Sequence, residues 1–129
     1  MELKNGTGKN QGTVHQTDVS GKHTQSFGFA DFNRGEFHTW ALEVDLTHAD
    51  YARQTLNWQL DGRTYFTVHG AGKTPQERDC WERCARSAFF PILNVAVGGD
   101  FVGNPDEHTL PGVESGLTVQ WVAVYKSNA

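Results

Sequence analysis

The sequence predicts an all-β domain, a sandwich of two antiparallel sheets with one short helix. Three observations carry that expectation. Apolar and polar residues alternate with a period of two along most of the chain, turn residues separate the alternating runs, and only residues 74–87 read at helical spacing. The 129 residues and 14.3 kDa amount to one domain, residues 1–129, able to bury about two-thirds of its unfolded surface. Fourteen glycines, four tryptophans and eight phenylalanines fit a turn-rich β protein and exclude collagen-like or disordered classes. A net charge of −4 without a dense basic cluster argues against nucleic acid as a partner. No apolar run approaches the ~20 residues of a membrane helix, so no membrane role is expected. The opening Met1-Glu2-Leu3-Lys4 is polar and carries no signal-peptide pattern.

In chain order, residues 11–17 and 25–30 read as short strands between turns. From Phe37 to Leu46 the alternation puts Trp40, Leu42, Val44 and Leu46 on one face and Thr39, Ala41, Glu43 and Asp45 on the other. Thr55 to Leu60 repeats the pattern with Leu56, Trp58 and Leu60, and Asp61-Gly62 is a hairpin signal leading into Arg63 to His69. Residues 37–69 therefore form an expected three-stranded meander. In 74–87, Thr74 can cap the helix, Pro75 suits its first position, and Glu77 completes a capping box. Ala88 to Val97 is apolar on both faces, the mark of a covered central strand with Pro91 near its start, and Leu117 to Tyr125 reads as a last strand of the same kind. These make seven strands.

Candidate chemistry is sparse. Cys80 and Cys84 share one helix face, as free thiols or a local disulfide, without companions for a metal site. Asn5-Gly6-Thr7 fits a glycosylation sequon. Glu43 and Asp45 imitate the carboxylate pair of a glycoside hydrolase, but a solvated strand face explains them. Asn94 interrupts an apolar run, where a buried amide costs roughly 1–3 kcal/mol unless hydrogen-bonded. It either ties down a loop or faces a cleft and binds a ligand hydroxyl. His15 poses the same question.

The run Phe89-Phe90-Pro91-Ile92-Leu93-Asn94-Val95-Ala96-Val97-Gly98-Gly99-Asp100-Phe101 resembles glycoside hydrolase family 16, closest to its laminarinase-like endo-β-1,3(4)-glucanases. Residues 34–43, 56–62 and 117–125 agree in order and spacing. The resemblance implies a concanavalin A-like jelly-roll sandwich whose concave sheet holds a β-glucan. It implies a protein secreted or held in the cell wall, and no cofactor. It makes His15 and Asn94 substrate-lining residues. The family's catalytic strand reads Glu-x-Asp-x-x-Glu, and the opening through Gly12-Thr13-Val14-His15 places Glu2 on its last position, the general acid/base. The nucleophile and the assisting Asp would precede residue 1, so the chain corresponds to the C-terminal half of the family domain.

Retaining hydrolysis needs two carboxyl groups about 5–5.5 Å apart, so the expected protein is catalytically disabled but keeps part of a glucan surface. The alternative is an active glucanase completed by another chain or an upstream segment. Where relatives carry a calcium-binding Asp this chain has Gln120, and a neutral amide predicts no tightly bound calcium. Trp40, Trp58 and Trp121 are candidate sugar-stacking platforms, but their strand phase favours the core. Strand edges left unpaired by the missing half leave two outcomes, closure of the remaining strands into a smaller sandwich or exchange of strands between two copies, and the homodimer is the favoured one.

Overall fold

Glu2–Leu3 (β1), Lys9–Thr17 (β2) and His23–Asp31 (β3) form one antiparallel sheet in that order; Trp40–Asp45 (β4), Thr55–Leu60 (β5) and Arg63–His69 (β6) form a second. The computed structural model describes residues 1–4 and 6–127. The chain divides into two compact units, Met1–Phe90 and Pro91–Ala129.

In the first unit the two sheets meet through β2 and β3 on one side and β5 and β6 on the other. Gly12 and Gly28 are cross-strand partners. A Cβ on Gly12 would lie 2.7 Å from the Trp58 ring, and one on Gly28 would lie 2.6 Å from Phe66 Cβ. Both positions need glycine because aromatic side chains occupy the space a methyl group would take. A bulge at Trp58/Gln59 shifts the β5–β6 register. It lets two consecutive residues reach the first sheet: Phe66 packs at Gly28, and the Tyr65 hydroxyl donates to Asn10 Oδ1 at 2.7 Å.

The core consists of Val14, Leu56, Trp58, Trp81 and Ala85, with Leu46, Tyr51, Tyr65, Phe66, Val68 and Cys84 packed around it. Pro75–Ala85 (α1) supplies Trp81 and Ala85, one turn apart on its buried face. Its N-terminus is closed by the expected box, Thr74 accepting from the Glu77 amide while Glu77 accepts from the Thr74 amide. Cys80 and Cys84 are free and half-buried, and burial pushes the Cys84 thiol pKa up. Two polar side chains are buried outright. Gln54, 1% exposed, accepts from Trp81 Nε1 at 2.7 Å and donates to the His48 carbonyl at 2.7 Å. Asn10 is held by Tyr65.

The structure corrects the sequence reading in three places. Six strands exist among the described residues, not seven. Residues 88–97 and 117–125 form none, and β1 was not expected. An apolar run becomes a strand only where a neighbour offers ladder partners, and neither segment finds one among the described residues. Trp121, expected in the core, is 57% exposed for the same reason, whereas Trp58 is buried and Trp40 stacks edge-on against Phe32. The expected apolar face of β4 is only partly covered, with Leu42 51% and Val44 46% exposed. The first sheet packs on β5 and β6, leaving the edge strand beyond them. The single regular element of the second unit, among the described residues, is a 3-10 turn at Gly112–Ser115.

Candidate functional site

The β2–β3 register sorts the first sheet into two faces. Asn10, Gly12 and Val14 point inward, so Lys9, Gln11, Thr13, His15 and Thr17 point to solvent. Their cross-strand partners Asp31, Phe29, Phe27, Gln25 and His23 share that face, and Glu2 joins it opposite Gln11.

Glu2, expected as the acid/base remnant, thus stands beside residues with a clear order. Thr13 Oγ1 donates to Glu2 Oε2 at 2.9 Å and accepts from Gln11 Nε2 at 3.1 Å. The rows holding Gln11 with Phe29 and Thr13 with Phe27 contain no second carboxylate. The nearest on the sheet, Asp31, is ion-paired with Lys9 at 3.7 Å. Phe27 and Phe29 meet edge to face with centroids 5.5 Å apart, each 49% exposed, and the Lys9 ammonium lies 5.8 Å from the Phe29 centroid. His15 stacks on His23 with centroids 5.3 Å apart and 14° between the planes.

Glu2 and His15 therefore share one surface. Asn94 lies in the second unit and is exposed. The expectation of a strand amide demanding a buried partner is overturned, because a solvated amide carries no desolvation cost. The sequon residue Asn5 lies outside the described residues. Sequence reasoning missed Gln11, Thr13, His23, Gln25, Phe27 and Phe29 as a group. Pairing the two expected strands as a hairpin would have brought them together, since alternation then puts them all on the side of His15.

The imitation site behaves as a polar face. Glu43 accepts from Asn57 Nδ2 at 2.9 Å, Thr67 Oγ1 donates to Asn57 Oδ1 at 2.8 Å, and Asp45 accepts from the Thr47 amide and hydroxyl. The Thr47 hydrogen bonds hold the Asp45 pKa below its ordinary value. A groove of about 660 Å³ lies between the β2–β3 turn and the start of α1, with Asp18 on one wall and Asp79, ion-paired to Arg83 at 3.1 Å, on the other. Asp18 is already committed to Ser20 and Lys22, hydrogen bonds that hold its pKa down. Among the described residues no three His, Cys, Asp or Glu converge as a metal cluster, and no helix is long and apolar enough to cross a membrane. No family model, curated protein or solved structure matches the chain.

Proposed function

We propose that this chain is a glycoside hydrolase family 16-like protein that binds a β-glucan without hydrolysing it. The supporting observation is the outward face of β2 and β3, where exposed Phe27 and Phe29 stand beside Gln11, Thr13, His15 and Gln25. A pyranose presents a C–H face that packs on an aromatic ring, while its hydroxyls need amide, hydroxyl and imidazole partners. The inactive half of the reading is supported by the other carboxylate of this face, Asp31, being ion-paired with Lys9, since acetal cleavage with retention requires an attacking carboxylate as well as a proton donor. On this reading the two sheets belong to a concanavalin A-like jelly roll, Asn94 is a separate sugar-contacting residue of the second unit, and the protein works outside the cell or in its wall.

The reading includes a strand-exchanged homodimer. The half-covered apolar face of β4 and the unpaired apolar runs 88–97 and 117–125 are surfaces a second copy would cover. Light scattering at micromolar concentration should give about twice the 14.3 kDa of one chain; a monomer mass refutes the dimer. The second reading is an active endo-β-1,3(4)-glucanase, favoured by the exposure of Glu2, whose nucleophile comes from another chain or from preceding sequence.

Affinity electrophoresis in laminarin and lichenan gels tests binding. The protein should be retarded, and Phe27→Ala or Phe29→Ala should each weaken binding by about 1–2 kcal/mol, roughly five- to thirtyfold. Equal mobility with and without glucan refutes it.

A further inference from the structure

We propose that His15 and His23 form a two-histidine site for Zn²⁺ on the outward face of the β2–β3 hairpin. The two residues lie on a cross-strand diagonal, His15 opposite Gln25 and His23 opposite Thr17. A diagonal of about 7–8 Å is within reach of long side chains. The rings face each other through His15 Nδ1 and His23 Nε2, 3.3 Å apart. Zinc–imidazole bonds of about 2.0–2.1 Å at a tetrahedral angle put two nitrogens roughly 3.3–3.4 Å apart, so the observed separation is that of a tetrahedral chelate. A square-planar ion would need about 2.9 Å at the same bond length.

The local chemistry fits a neutral pair of nitrogen donors. In the metal-free protein one facing nitrogen carries the hydrogen and the other accepts it. Chelation needs the donating ring to carry its hydrogen on its other nitrogen, so that both facing nitrogens offer lone pairs. The cross-strand neighbours Gln25 and Thr17 are uncharged. Asp18, one residue past the end of β2, accepts the Ser20 amide and hydroxyl and the Lys22 amide on Oδ1. Both histidines are exposed, so solvent completes the coordination. The inference stands apart from the glucan reading, because it uses no sugar and predicts binding whether or not laminarin is retained.

Calorimetric titration of the full chain with Zn²⁺ at neutral pH, followed by proton NMR of the imidazole signals, tests it. One equivalent should bind, moving the His15 and His23 ring signals and leaving those of His38 and His108 in place. Outer-shell partners of a zinc ligand are worth about ten- to hundredfold in affinity, so His15→Gln and His23→Gln should each weaken binding by at least that lower bound. His108→Gln should change nothing. Both hairpin positions are exposed, and unchanged far-UV circular dichroism will show that the variants fold. Zn²⁺ affinity within twofold of the parent protein in either hairpin variant overturns the proposal, as does the absence of binding.

Discussion

Thr13 Oγ1 donates to the Glu2 carboxylate at 2.9 Å, fixing the sole carboxylate of its row across β2 from Phe29. That hydrogen bond positions an acid for solvent or a sugar hydroxyl, and the one carboxylate in the adjoining rows, Asp31, is ion-paired with Lys9 at 3.7 Å. Laminarin and lichenan should therefore yield reducing ends at the rate of buffer alone, and Glu2→Gln should leave that rate unchanged. A reducing-sugar assay checks this, and turnover lost in Glu2→Gln would establish the active-enzyme reading instead.

The contact between the sheets rests on two missing side chains. Gly28→Ala inserts a methyl group at 2.6 Å from Phe66 Cβ, an overpacking that should cost about 1–3 kcal/mol. Gly12→Ala, crowded by Trp58 and Tyr65, should behave alike. Gly35→Ala, whose nearest neighbour is 3.5 Å away, should stay within about 0.5 kcal/mol. Urea unfolding with a constant m-value makes the comparison.

Trp81→Phe removes the indole N–H that satisfies Gln54 Oε1. With Gln54 only 1% exposed, the orphaned acceptor should cost about 1–3 kcal/mol beyond the change in packing. Chemical denaturation measures it, and replacing Gln54 by Leu in the same background should recover part of the loss.

His38 binds two acceptors at once, Asp61 Oδ2 through Nδ1 at 2.7 Å and the Asn33 carbonyl through Nε2 at 2.8 Å. The Asp61 hydrogen bond, then the carbonyl, raises the His38 pKa above its ordinary value, and His38 in turn holds Asp61 down. The raised histidine stabilises the fold fully below about pH 6.5, and that contribution is lost as pH rises through its folded value. The depressed aspartate stabilises above about pH 3.9 and loses its contribution as pH falls through its own folded value. The pair is thus worth most between about pH 4 and 6.5. Asp61→Asn should show its largest stability deficit there and a lower His38 midpoint by NMR titration.

Local signals made much of this fold legible. Alternation located β2 through β6 to within a few residues, Asp61-Gly62 marked the β5–β6 turn, with Asp61 at φ 49°, and the Thr74–Glu77 box marked α1. These features are set by a few neighbours in sequence. Whether 88–97 and 117–125 become strands depends on a partner far away in sequence, which an apolar pattern cannot report. The burial of Asn10 and Gln54 was equally hidden, because Tyr65 and Trp81, the residues that satisfy them, are 55 and 27 positions away. Of the candidate site, Glu2 follows from the resemblance alone, and His15 from its place in a strand pattern as well. Their neighbours emerge only from the hairpin register, and Asn94 lies in the other unit.

The central claim is that the outward face of β2 and β3 receives a β-glucan. Backbone amide NMR during titration with a laminari-oligosaccharide tests it most directly. Shifts concentrated at Gln11, Thr13, His15, Gln25, Phe27 and Phe29 are predicted. An unchanged spectrum, or shifts confined to the Glu43–Asn57 face of the second sheet, would contradict it.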